Sequence, residues 1–250
     1  MAGLSVCAQG QEHARQAQEL AGQLGLPLME DAAGCKVGAL LVVGDEGISL
    51  SAGQLSMRAD FSRLLRRLRP AALDHELLVR ATRVRGVKEP VAVDATAGLG
   101  EDSLLLAAAG FSVIMYERNP VIATLLADAL KRASQLPELA SVIGRMELRH
   151  ADSIRELPGL APDVVLLDPM FPARTKSAQV KKKFQLMHLL EGPATDEREL
   201  LGAALAARPR KVVVKRPPKG PLLCGVKPSY SLTGKAVRYD CLVPPRRTEA

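Results

Sequence analysis

Asp168-Pro169-Met170-Phe171-Pro172 follows directly on Asp163-Val164-Val165-Leu166-Leu167, placing a carboxylate, a rigidified main-chain carbonyl and an aromatic ring at the end of an apolar strand. A flat ring bearing an NH₂ group would find acceptors there in the Asp168 carboxylate and in the carbonyl of the Asp168-Pro169 pair, with Phe171 as a stacking face. That corner suits chemistry at an exocyclic amine, a poor nucleophile because its lone pair is delocalised into the ring. Hydrogen bonds from the amine favour a more pyramidal nitrogen, and a fixed ring can be aligned with an activated electrophile. Asp168, Pro169 and Phe171 are therefore the candidate catalytic residues.

The elements that must position this corner begin at Val91. From there strands alternate with helices, the pattern of a parallel sheet covered on both faces. Strands are predicted at Val91–Ala95, Ser112–Glu117, Met146–Arg149, Asp163–Leu167 and Lys211–Lys215. Helices are predicted at Glu101–Ala109, Pro120–Ser134, briefly after Ser153, at Val180–Leu190 and at Glu197–Ala207, and a closing hairpin turns at Thr233-Gly234-Lys235. The first strand runs into Asp94-Ala95-Thr96-Ala97-Gly98-Leu99-Gly100, a small-residue turn that opens a helix and lets a ligand approach the backbone. Asp94, Gly98 and Gly100 are cofactor candidates on that ground. The turn lacks the lysine of a phosphate loop and has Ser103 where a dinucleotide fingerprint wants a small third residue.

Glu117 ends the second strand, where a carboxylate can accept hydrogen bonds from both hydroxyls of a ribose, as in NAD and S-adenosylmethionine sites. Asp152-Ser153, after the third strand, would stand beside an adenine, and the same pair also makes an ordinary helix cap. The corner at Asp168 separates the two cofactors. Hydride transfer has no use for an amine-holding Asp-Pro-Met-Phe, whereas amino-group methylation does, so S-adenosylmethionine is the expected cofactor.

Taken together, Val93–Gly100, Glu117-Arg118-Asn119-Pro120, Leu167–Pro172, Lys176-Ser177-Ala178 with Val180-Lys181-Lys182, and Val212–Pro217 resemble the bacterial small-subunit ribosomal RNA guanine-N2 methyltransferases, the RsmJ family. The resemblance spans about Val91 to Val243. It implies an α/β class I methyltransferase fold, Rossmann-like with a seven-stranded mostly parallel sheet, and S-adenosylmethionine as methyl donor. It further implies a guanine near the 3′ end of 16S rRNA, in free RNA or in the small ribosomal subunit, as acceptor. By position, the family's cofactor contacts fall on Glu101 and Asp102, Glu117 and Arg118, Asp152 and Ser153, and Asp168. Where the family usually carries Arg-Asp after the glycine loop, this chain has Glu101-Asp102. An adenine-N6 methyltransferase would use the same corner, and a noncatalytic RNA-binding module could retain the fold.

Lys and Arg number 34 against 27 Asp and Glu, a formal charge of +7 that favours an anionic partner. Arg174, Lys176, Lys181, Lys182, Lys215 and Arg216, around and downstream of the amine corner, are the candidate RNA contacts. At 3% aromatic residues, stacking cannot be the general mode of binding, which leaves Phe171 for an unpaired or flipped target base. Cys7, Cys35, Cys224 and Cys241 form no C-x-x-C pair and read as reduced thiols, and the four histidines lack metal-ligand spacing, so metal-free catalysis is expected. No apolar run approaches the roughly 18 residues of a membrane span, and a cytoplasmic protein is expected.

Upstream, Leu4–Ala8, Gln11–Leu24, Val37–Val43 and Ile48–Leu50 predict a small α/β appendage over residues 1–55. A basic helical connector follows over 56–89, in which Asp60–Arg69 reads as a helix whose arginine face is solvated or meets RNA, and Asp74–Val84 as a second helix. The methyltransferase domain would occupy 90–250.

Overall fold

The computed structural model describes residues 3–30, 38–169, 185–186, 189–190 and 195–245. The chain divides into two compact units, one of residues 1–60, 119–132 and 174–193 and the other of 61–118, 133–173 and 194–250.

In the first unit, β1 (Leu4–Ala8) lies between β2 (Leu28–Met29) and β3 (Ala39–Gly44), parallel to both, and β4 (Gly47–Ala52) and β5 (Leu55–Met57) continue the sheet antiparallel. Helix α1 (Ala14–Leu24) buries Ala17, Leu20 and Ala21 and stops where Gly25 takes the left-handed conformation at φ 63°. The hairpin expected at Gly44–Gly47 is present, with Gly44 paired to Gly47.

The second unit opens with the connector, which is more broken than its sequence suggested. Asp60–Arg69 forms a 3₁₀ turn over Phe61–Leu64 and then bends, and helices α2 (Pro70–Leu73) and α3 (Leu77–Thr82) follow. Pro70 starts α2 because it lacks the N–H that a continuing helix would need. The Arg67 guanidinium reaches forward instead, donating from Nε and Nη2 to the two carboxylate oxygens of Glu76 at 2.7 and 2.9 Å. Phe61, Leu64, Leu78 and Ala81 supply the buried side, while Arg63, Arg66 and Arg69 are exposed.

Seven strands make the main sheet of this unit: β6 (Val91–Asp94), β7 (Ser112–Tyr116), β8 (Met146–Arg149), β9 (Val164–Leu167), β10 (Lys211–Arg216), β11 (Tyr230–Thr233) and β12 (Arg238–Leu242), in the order β11-β12-β10-β9-β6-β7-β8. The strands from β8 to β10 are parallel, and β12 inserts antiparallel between β10 and β11. Val164–Leu167 and Val212–Val214 are fully or almost fully buried, as their unbroken apolar runs require of strands covered on both faces. The crossovers use α4 (Glu101–Ala108), α6 (Pro137–Ile143), α7 (Ser153–Glu156) and α8 (Glu197–Ala206), while α5 (Pro120–Ser134), which precedes α6 in the chain, falls largely in the first unit. Helix α6 was not foreseen; Pro137 sits at its first turn and separates it from α5. The chain winds outward from β6 to β8 on one side and from β9 to β10 on the other, so the crevice outside the carboxyl ends of β6 and β9 is the switch point where open α/β sheets bind ligands.

Lys211, the first residue of β10, is buried and donates from Nζ to the carbonyls of Ala81 and Arg83 at 2.7 and 2.9 Å. It thereby caps the carboxyl end of α3, where unpaired carbonyls and the helix dipole favour a cation. Lys211→Met is expected to destabilise the protein by about 1–3 kcal/mol, read from urea unfolding; an unchanged midpoint would show that the cap contributes nothing.

Candidate active site

Four loops at the carboxyl edge of the main sheet hold the candidate side chains. The turn after β6 is built by its own polar groups. Asp94 is buried, accepting from the Thr96 N–H at 3.2 Å through Oδ1 and from the Ser103 hydroxyl at 2.6 Å through Oδ2. Ser103, the departure from the dinucleotide fingerprint, thus has a structural use: its hydroxyl ties the first turn of α4 to the end of β6. Gly98 and Gly100 take φ of 54° and 75°, the left-handed region that a side chain would strain.

Burial pushes the Asp94 pKa up to about 7; the Ser103 hydrogen bond opposes this, and the charges of Asp102 and Asp168 add to it.

Glu117, just past β7, is 6% exposed and accepts the Gly98 N–H through Oε2 at 3.0 Å, so the carboxylate expected to hold a ribose also fixes the glycine turn. Arg118 beside it is exposed and ion-paired with Asp196. Asp152 caps α7, its Oδ1 accepting the Ile154 N–H at 3.0 Å, and Ser153 is buried in the first turn. Glu101 opens α4 and is exposed.

Asp168 and Pro169 follow β9 immediately, Asp168 half-buried and Pro169 buried. The Asp168 N–H donates to Thr96 Oγ1 at 2.7 Å, which binds the amine corner to the glycine turn. Lys215 then joins the group: its Nζ lies 2.6 Å from Asp102 Oδ2 and 2.8 Å from Asp168 Oδ2. Burial lowers the lysine's pKa, but the two carboxylates outweigh it and hold the ammonium well above its ordinary range. Tyr239 lies opposite Lys215 on β12, and burial together with the charges of Asp102 and Asp168 raises its pKa.

The structure therefore brings together Asp94, Gly98, Gly100, Asp102, Glu117, Asp168 and Pro169. Two expected RNA contacts are revised. Arg216 is buried, 2% exposed, with Nε donating to the Pro221 carbonyl at 2.9 Å and Glu197 3.6 Å from Nη1, so its guanidinium does not present itself to an RNA. Lys215 is only partly exposed and its ammonium lies against two carboxylates. Phe171, Arg174, Lys176, Lys181 and Lys182 lie outside the described residues, as does most of the predicted helix Val180–Leu190. Thr96, Ser103 and Tyr239 were not anticipated; the available hint was a hydroxyl two residues past Asp94 and another in the first turn of α4.

A glycine turn after the first strand, a buried carboxylate after the second, a capped turn after the third and an Asp-Pro corner after the fourth define an S-adenosylmethionine-dependent methyltransferase of the class I fold. Comparison with known proteins agrees. The SAM-dependent methyltransferase family model matches residues 25–244. A crystal structure of a SAM-dependent methyltransferase from Neisseria gonorrhoeae superposes with a TM-score of 0.75 at 30% identity, covering 96% of each chain. Proteins named ribosomal RNA small subunit methyltransferase J are 41% identical in Thioalkalivibrio sulfidiphilus, over 91% of this chain and 92% of the relative, and 43% identical in a Pseudomonas aeruginosa strain, over 95% and 93%. The chain belongs to the ribosomal RNA small subunit methyltransferase J family.

The residues fit the cofactor this family uses: Gly98 and Gly100 leave the turn without a Cβ at two positions, and Glu117 sets a carboxylate at the adjoining strand end. No helix among the described residues is long and apolar enough to cross a membrane.

Asp94 gives a pH test. Its folded pKa of about 7 exceeds the ordinary carboxyl value of 3.8, so the folded state binds the extra proton between these values. The associated stability is full below the lower value and lost as pH rises through the upper one. Asp94→Asn, which stays neutral, is expected to gain stability relative to wild type between about pH 4 and about pH 7 in urea titrations; parallel curves for the two proteins would mean that folding does not raise the Asp94 pKa.

Proposed function

We propose that this chain transfers the methyl group of S-adenosylmethionine to the exocyclic N2 of a guanosine near the 3′ end of 16S rRNA, presented in free RNA or in the small ribosomal subunit. The observation that carries this reading is the Asp168–Thr96 hydrogen bond, which makes the amine-holding corner and the cofactor turn one rigid piece. The names of the relatives support ribosomal RNA as substrate, and the charge of +7 with exposed Arg63, Arg66 and Arg69 suits a polyanion.

Asp94, Gly98, Gly100, Glu101, Asp102, Glu117, Arg118, Asp152, Ser153 and Asp168 are the proposed cofactor residues, with Glu117 on the ribose and Asp152-Ser153 near the adenine. Asp168 and the adjoining carbonyl accept the amine's hydrogens, Pro169 fixes the turn, and Phe171 stacks the base. The bound cofactor supplies a methyl group on a sulfonium: the N–C bond forms as the C–S bond breaks, with that electron pair going to sulfur. The nitrogen then gives up a proton, and since the electrophile is already activated, alignment of the amine is the protein's main contribution. Arg174, Lys176, Lys181 and Lys182 are proposed to hold RNA phosphates.

Radiolabelled methyl transfer to small subunits lacking the modification, followed by nucleoside digestion, is expected to yield N2-methylguanosine; N6-methyladenosine instead would replace guanine by adenine as the acceptor. Asp168→Ala is expected to lower turnover by at least ~100-fold with the fold intact, and near-normal turnover would remove Asp168 from the chemistry. Glu117→Ala is expected to weaken S-adenosylmethionine binding about tenfold or more, since ribose hydroxyls would lose a charged acceptor. Calorimetric titration with an unaltered affinity would rule out that contact.

A further inference from the structure

We propose that Lys215 is a positioning residue for Asp168, holding its carboxylate ionised and in one orientation for the amine, rather than a contact to RNA phosphate. This rests on the reading that Asp168 receives the amine. The placement follows from the sheet. β9 and β10 are parallel with Leu167 opposite Val214, so the next residue on each, Asp168 and Lys215, emerge side by side at the carboxyl edge. Asp102 reaches the same ammonium from the first turn of α4, at 2.6 Å against 2.8 Å for Asp168. Tyr239, register partner of Lys215 across the β10–β12 ladder, projects on the same side of the sheet and is buried.

Among the described residues, the charged and titratable groups that face this cluster are Asp94 from β6, Asp102 from α4, Asp168 after β9, Tyr239 from β12 and, at longer range, Arg67 from the connector. Two carboxylates thus converge on one lysine, with Asp94 close enough to feel both of them. Without that cation, mutual repulsion would favour protonation of the group. A protonated Asp168 would present an O–H where the amine needs an acceptor. A phosphate would have to draw the ammonium away from two carboxylates already at hydrogen-bond distance.

The test compares Lys215→Met and Lys215→Arg with wild type in two measurements. In steady-state methyl transfer across pH, Lys215→Met is expected to lose about 10- to 100-fold in kcat with KM for RNA unchanged. The acidic limb of its rate profile should move to higher pH, and Lys215→Arg should restore part of the rate. In the protein without RNA or methyl donor, carbon-13 NMR of labelled aspartate is expected to show the Asp168 carboxyl titrating about one unit or more higher in Lys215→Met, with Lys215→Arg close to wild type. An Asp168 titration unchanged in Lys215→Met would overturn the proposal. So would a full kcat accompanied by a raised KM for RNA and a salt slope smaller by about 0.7 to 0.9, the signature of a lost phosphate contact. Should the Met variant fail to fold, Lys215→Gln, which keeps a donor without the charge, is read by the same titration. Because that titration needs no substrate, it is decided separately from the identity of the methylated base.

Discussion

The 2.7 Å hydrogen bond from the Asp168 N–H to Thr96 Oγ1 joins the loops that follow β6 and β9, the two central strands of the main sheet. Each end of that link is held in turn. The Thr96 N–H is bound by Asp94, Asp94 by Ser103 of α4, and the Gly98 N–H by Glu117 at the end of β7. A loop with φ of 54° and 75° at its glycines would otherwise be among the softer parts of the fold. Bound on three sides to regular elements, it becomes a fixed reference against which a cofactor and an acceptor can be aligned, and small displacements of reacting groups are costly.

The same constraint concentrates acids. Asp94, Asp102 and Asp168 lie close enough to perturb one another, with Lys215 as the cation bonded to two of them. Burial raises the Asp94 pKa to about 7, and the charges of Asp102 and Asp168 add to the shift, at a residue whose hydrogen bonds serve the fold.

Much of this was legible in the chain. The apolar runs before Asp94, Glu117 and Asp168 placed all three at strand ends to within a residue, because strands buried on both faces have no polar alternation to blur their limits. What could not be read were partners distant in sequence. Lys215 and Arg216 looked like one basic pair, yet successive strand residues point to opposite faces: one meets Asp102, 113 positions away, and the other is buried beside Pro221 and Glu197. Ser103 looked like a defect in a fingerprint because its acceptor, Asp94, lies in the preceding strand. The connector misled for a local reason: its leucine spacing suits a helix, but the Arg67–Glu76 pair and Pro70 enforce a bend.

β10 combines an apolar middle, Val212-Val213-Val214, with a polar residue at each end that has a specific appointment: Lys211 at the carbonyls of Ala81 and Arg83, and Lys215 at Asp102 and Asp168. Three valines in a row fit a neighbouring strand almost equally well if displaced by one residue, so the apolar core alone specifies alignment weakly. A one-residue slip would turn both lysines to the other face and strand two ammonium groups away from their acceptors. The two cations therefore act as alignment pins, making the register of the central sheet an electrostatic decision as much as a hydrophobic one.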